Sequence, residues 1–244
     1  MIYDTAVIIP TVLRPQLARA VHSVFDQDFD GTVQIVLGVD VNLGDAGMVD
    51  GLRRDCPANM TLAVLDPGFS TSARNGGYYR IWAGGALRTI LSYAASSHRL
   101  AYLDDDNWWA PGHLSDLVEA LDGHAWAYTY RWYVHPQTLQ VMCVDEWESV
   151  GPDRGMYADK YGGFVDTNCY MIDKRKCHWQ LPAWCVPDGR VGKGEGEDKV
   201  MLSHLRSRGE GACTGNATVY YVIKKSSVKI VRRLMQQHDQ AGRG

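Results

Sequence analysis

Leu100-Ala-Tyr-Leu-Asp-Asp-Asp-Asn107 is the stretch on which the fold turns: an apolar run short enough for one buried strand ends in three consecutive carboxylates. Adjacent acidic groups repel one another, so such a cluster at a strand end is easiest to rationalise where a cation sits against it. The competing reading is a solvated acidic loop that caps the next helix. The neighbouring elements decide between the two.

Upstream, Ala6-Val-Ile-Ile9 reads as a buried strand stopped by Pro10 and Thr11, because proline removes a ladder donor. Pro15 suits the first turn of a helix whose Leu17, Val21, Val24 and Phe25 share one face until Asp30-Gly31 breaks it. Val33 to Val39 is a second strand ending at Asp40, which completes a right-handed parallel unit. Met48, Val49 and Leu52 suggest a short helix, and Met60 to Leu65 a third strand. Small and polar residues from Ser70 to Asn75, then Gly76-Gly77 and Gly84-Gly85, precede a helix with Leu87, Ile90, Leu91 and Ala94 on one face. That glycine content fits either a long surface loop or backbone that approaches a ligand. The fourth strand, Leu100 to Leu103, delivers Asp104, Asp105 and Asp106, and a helix with Leu114, Leu117, Val118 and Leu121 follows from about Pro111. Thr11, Asp40 and Asp104 therefore each close a predicted parallel strand, at the edge where open α/β sheets bind ligands.

Downstream the character changes. Trp126 to Val134 and Leu139 to Asp145 read as paired strands, followed by an aromatic stretch through Trp147, Tyr157, Tyr161 and Phe164, and Cys169 to Ile172 as one more strand. Asp188 to Gly196 holds four glycines in nine residues, the composition of a mobile flap, and leads into Glu197-Asp198 at the start of a helix with Val200, Met201 and Leu205 inward. On position alone that acidic pair complements the helix dipole. Near the end, Val228, Val231, Leu234 and Met235 share a helical face beside Lys224, Lys225, Lys229, Arg232 and Arg233. That helix either packs back on the domain or makes peripheral contact with an anionic membrane.

At 244 residues, 45% hydrophobic, the chain is long enough for one large α/β domain. A formal charge of −3 supplies no basic field for nucleic acid, and there is no apolar run of membrane-spanning length. The start lacks a secretory pattern, which gives a cytoplasmic expectation and six free thiols. Cys177, His178 and Cys185 have an unfamiliar spacing for zinc.

Ile-Pro-Thr-x-x-Arg at Ile9 to Arg14, Asp40 closing the second strand, an arginine helix before Leu103-Asp-Asp-Asp106, and the late Glu197-Asp198 together resemble family 2 glycosyltransferases of the GT-A fold, over about residues 5 to 207. The resemblance implies a Rossmann-like, mostly parallel sheet flanked by helices, with a smaller antiparallel sheet on the acceptor side. It implies one domain, with a nucleotide-binding half over 1–123, an acceptor-binding half over 124–222 and a C-terminal helix or tail over 223–244. The implied activity is transfer of a sugar, usually with inversion, from a nucleotide diphosphate donor to a saccharide or lipid-linked acceptor, using Mn²⁺ or Mg²⁺.

By the same resemblance, Pro10, Thr11, Arg14 and Asp40 line the base and ribose pocket, and Arg88 approaches the phosphates. Asp104 contacts the ribose, Asp106 binds the metal, and Asp105 belongs to the same nucleotide-binding cluster with its side chain turned from the chemistry. Asp198 is implied as the general base, with Glu197 beside it. Trp132, Trp147, Trp179 and Trp184 are candidates for stacking on acceptor sugars, against core packing as the alternative for each. Val41-Asn42 departs from the acid or serine that often follows Asp40, which leaves the nucleobase open. His204 reads as a surface histidine. A sugar-nucleotide pyrophosphorylase would need a glycine-rich basic loop after the first strand, which Pro10 to Pro15 does not supply. An Asp-x-Asp phosphatase would carry its cluster after the first strand. A non-catalytic nucleotide- or carbohydrate-binding relic remains the non-enzymatic alternative.

Overall fold

The central strand β1 (Thr5–Thr11) is buried along its whole length in the computed structural model, which describes residues 2–45, 47–189 and 196–241. It pairs in parallel with β2 (Val33–Val39) on one side and β4 (Arg99–Tyr102) on the other, and β2 pairs in parallel with β3 (Met60–Leu65). Strands buried on both faces need continuous apolar side chains, which is why these segments read as runs of Val, Ile and Leu. β1 runs through Pro10 instead of stopping before it. The ladder to β4 ends at the Ile8–Tyr102 pair, so the donor that Pro10 lacks falls where no partner strand remains.

The connections are α1 (Leu17–Phe25), α2 (Gly47–Asp55) and α3 (Gly85–Ala94). In α3 the buried face is Ala86, Leu87, Arg88 and Leu91, while Ile90, expected on that face, is 41% exposed. After β4 come the two-residue β5 (Trp108–Trp109), α4 (His113–Ala120), β6 (Trp126–Val134) and β7 (Val141–Val144). Then follow β8 (Gly151–Pro152), α5 (Ala158–Tyr161), β9 (Gly163–Phe164), β10 (Tyr170–Asp173), α6 (Lys174–Cys177), α7 (Glu197–Arg206), β11 (Ala212–Val222) and α8 (Val228–Ala241).

The sheet order is β3-β2-β1-β4-β10-β6-β11-β5, with β7 on the far end of β6, so strands from both halves of the chain form one nine-stranded sheet among the described residues. β10 is antiparallel between β4 and β6, and β11 lies parallel to β6. The result is a mostly parallel sheet flanked by helices, with a separate two-stranded antiparallel sheet, β8-β9. The core is continuous from Val7 and Ile35 through Tyr102 to Trp126 and Trp184. α8 packs back on the domain through Val228, Val231 and Met235 against Tyr133, Ile223 and Trp147. No described helix is long and apolar enough to cross a membrane. The cysteines are free thiols.

Candidate functional site

Parallel strands β1, β2 and β4 point their carboxyl ends to one edge, and Thr11, Asp40 and Asp104 meet there as expected. One cleft is lined by Pro10, Thr11, Arg14, Asp40, Arg88, Asp104, Asp105 and Asp106. Residues 95 positions apart in sequence thus share a wall because the sheet order places β1 between β2 and β4.

The three acids have different surroundings. Asp105 is buried and points into the turn after β1: its carboxylate accepts from the Thr11 hydroxyl at 2.7 Å and the Val12 N–H at 3.4 Å, and pairs with Arg14 Nε at 3.2 Å. That turn contains Leu13 at φ 59°, a left-handed conformation that costs a non-glycine residue about 1 kcal/mol or more. Asp105 and the Thr11 hydroxyl, which accepts from Leu13 N–H at 2.9 Å, hold it. Asp106 is the open one, with its side chain 46% exposed and Arg14 Nη1 3.0 Å from one oxygen. Burial of the cluster, then the charges of Asp104 and Asp105, push its carboxyl up to about 6. Arg19 braces the backbone beneath, donating to the Asp106 carbonyl at 2.8 Å while its guanidinium lies 4.0 Å over the Trp108 ring.

Asp104 is held on both oxygens. One accepts from Arg88 Nη2, and the other from the Asn168 side-chain amide at 3.1 Å. Arg88 is buried, and its other terminal nitrogen is 3.5 Å from Glu197. Burial acts to lower the Arg88 pKa, but Asp104 and Glu197 outweigh it and raise it. Arg88 therefore forms part of the cleft wall with its charge committed to protein carboxylates. Its position depends on close packing: a Cβ at Gly85 would stand 2.0 Å from the Trp184 carbonyl oxygen, so only glycine lets α3 settle on the 181–185 turn.

Glu197 and Asp198 open α7, preceded by Gly196 at φ 89°. Glu197 is buried against Arg88, so it anchors the helix to the cleft wall. Asp198 is more open, and its Oδ1 lies 3.5 Å from Lys199 Nζ, which itself sits over the rings of Tyr157, Tyr161 and Phe164. The expected flap over Asp188 to Gly196 falls largely on 190–195, outside the described residues.

The aromatic candidates disperse. Trp184 is buried under Arg88, Trp147 stacks on Tyr133, and Trp132 stacks on Tyr220 at 4.7 Å. Trp179 is 79% exposed beyond the far end of α3, where Tyr93 donates to the His178 carbonyl at 2.9 Å, away from the cleft. His204 is exposed on α7.

The structure adds residues that periodicity does not mark. Ser72, Arg74, Asn75 and Trp82 line the cleft. Asp40 organises them: its oxygens accept from Ser70 Oγ at 2.7 Å, Thr71 N–H at 2.6 Å, Thr71 Oγ1 at 2.8 Å and Asn75 Nδ2 at 2.9 Å. Ser, Thr and Asn in one loop after a strand-end Asp were the available signal. Asn168 and Arg131 were not marked at all.

Among the described residues no group of three His, Cys, Asp or Glu side chains could enclose a metal ion. Asp106 presents a hard oxygen donor into the cleft, and Mg²⁺ or Mn²⁺ in such sites needs only one or two carboxylates, the rest of its shell coming from water and substrate phosphate. Asp106 could therefore supply one protein ligand to such a cation.

No protein-family model and no curated protein matches the sequence. The chain is similar in structure to S. aureus TarS, with a TM-score of 0.63 at 13% identity over 95% of this chain and 38% of that one. TarS 1-349 in complex with UDP-GlcNAc gives a TM-score of 0.65 at 13% identity over 91% of this chain and 59% of that one. The complex with UDP gives 0.63 at 14% identity, over 95% and 64%. The chain thus spans less than two thirds of the length of these structures. What the likeness establishes is the fold, the GT-A arrangement of a mostly parallel sheet flanked by helices.

Proposed function

We propose that the chain transfers a sugar from a nucleotide diphosphate donor, a UDP-sugar by preference, to a hydroxyl of a saccharide or lipid-linked acceptor, with inversion. It would act as a family 2 hexosyltransferase in surface polysaccharide or glycoconjugate synthesis. The observation that carries this reading is the single cleft at the carboxyl ends of β1, β2 and β4, with Arg14 and Asp106 open to it and α7 tied to its wall through Glu197 and Arg88. The complexes of TarS with UDP-GlcNAc and UDP support the choice of donor.

Asp106 would hold the metal, with Asp104 directed to the ribose and Arg14 lining the base and ribose pocket. Mn²⁺ or Mg²⁺ bound there would neutralise charge on the departing diphosphate. Asp198 accepts the proton of the acceptor hydroxyl as its oxygen bonds to the anomeric carbon and the bond to the diphosphate breaks. The loop organised by Asp40 would face the base.

Calorimetric titration of UDP, GDP and dTDP with and without Mn²⁺ tests the reading. Metal-dependent binding of UDP is expected. Absence of binding by all three would overturn it.

A further inference from the structure

Asn168 is fully buried in the turn that leads into β10, at the end of β4, because β10 runs antiparallel to β4. Its side-chain oxygen accepts from the Asp104 N–H at 2.6 Å. Its amide nitrogen donates to Asp104 Oδ2 at 3.1 Å and to Asp166 Oδ1 at 2.6 Å. Only one orientation of the amide serves a backbone donor on one side and two carboxylates on the other, so all of its side-chain hydrogen-bonding capacity toward these groups is used. Asp166 is in turn held by Arg131 Nη1 at 2.6 Å. A continuous row therefore runs from Arg131 through Asp166, Asn168 and Asp104 to Arg88 and Glu197, alternating in charge with the neutral amide between the two acids.

We propose that Asn168 is a positioning residue for the donor site: it fixes the plane of the Asp104 carboxylate and couples it through Asp166 to the Arg131 cluster on β6. The inference rests on reading the cleft as a nucleotide-diphosphate site. Asp104 stands at a strand end and has two partners, Arg88 on one oxygen and Asn168 on the other. Without the amide, the carboxylate turns on its own torsions toward Arg88, and the adjacent Asp105-Asp106 backbone loses its anchor at the Asp104 N–H. A misplacement of about 1 Å can cost about 10²-fold where groups must be held in a fixed geometry.

The test is a double-mutant cycle on the full chain, read by calorimetry with millimolar UDP in Mn²⁺ and checked for folding by thermal melting. Asn168→Ala is expected to weaken UDP binding about tenfold, and to add less than about twofold when placed on Asp104→Ala, because its effect passes through Asp104. An Asn168→Ala protein that binds UDP as the parent does overturns the proposal. So does a loss that persists undiminished on Asp104→Ala, which marks a purely structural role. Should Asn168→Ala fail to fold, Asn168→Asp keeps the size and the acceptor for the Asp104 N–H but replaces the donor with a carboxylate. It must then weaken UDP binding, and unchanged affinity overturns the proposal. Failure of the parent chain to bind UDP, GDP or dTDP would instead remove the functional reading itself, before any variant is compared.

Discussion

Asp104, Asp105 and Asp106 are identical in chemistry and different in use. The Asp106 side chain has one partner among the described residues and an open side, so Asp106→Ala removes a ligand and relieves repulsion among like charges. The expected outcome is loss of the Mn²⁺ effect on UDP affinity with the melting temperature unchanged or raised. Asp105 has the opposite profile. Asp105→Ala strips the acceptor from Thr11, Val12 and Arg14 and releases the strained turn at Leu13, at a cost of about 1–3 kcal/mol in urea unfolding. Asp198→Asn should lower transfer by about 10²–10⁴-fold while UDP affinity stays constant, since a general base touches the acceptor side only. Turnover that survives the substitution would remove Asp198 as the base.

The parallel elements were legible at the scale of strands and helices because the strands are short unbroken apolar runs and the helices between them carry a helical apolar period. β2, β3 and β6 have the bounds expected of them. β11 was not foreseen: its register shifts near Cys213 and Ala217, and Thr214-Gly-Asn216 reads as a turn, so no alternation survives along it. The 70–75 loop was visible only as small polar residues, since what shapes it is a carboxylate thirty positions away. Burial pushes Asp40 up, but the bonds from Asn75, Ser70 and Thr71 outweigh it and hold the carboxyl below its ordinary value. A folded value below the unfolded one, near 3.9, gives stability that is present above that pH and lost as pH falls through the folded value. Asp40→Asn should therefore be less stable than the parent at pH 7 and show a flatter decline below about pH 4. Urea midpoints measured at both pH values check this, and parallel declines would contradict it.

At the scale of the molecule, the second half of the chain is gathered around a single guanidinium that the sequence did not mark. Arg131 occupies an aromatic strand where one charge reads as a solvent-facing position, and its partners come from three separate places. Nε pairs with Asp145 at 2.8 Å, Nη1 with Asp166 at 2.6 Å and Nη2 with Glu148 at 2.7 Å, while the plane lies 3.9 Å over the Tyr221 ring. Such convergence is a property of the folded chain and leaves no local pattern. Asp145 is held below its ordinary value even though burial pushes it up, because Arg131 and the N–H groups of Glu148, Ser149 and Trp147 outweigh burial. Arg131→Met would leave Asp145 and Asp166 buried without their counterion, and breaking a buried pair by removing one partner costs about 3–5 kcal/mol. Arg131→Lys should recover only part of this, since one ammonium on a flexible stem cannot present three N–H groups in a plane to three carboxylates. Urea unfolding of the two variants beside the parent measures both losses. If Lys restored full stability, the fork geometry would not be what holds these segments together. If Met cost less than about 1 kcal/mol, the cluster would be dispensable to the fold, and its link through Asp166 to Asn168 would have nothing rigid behind it.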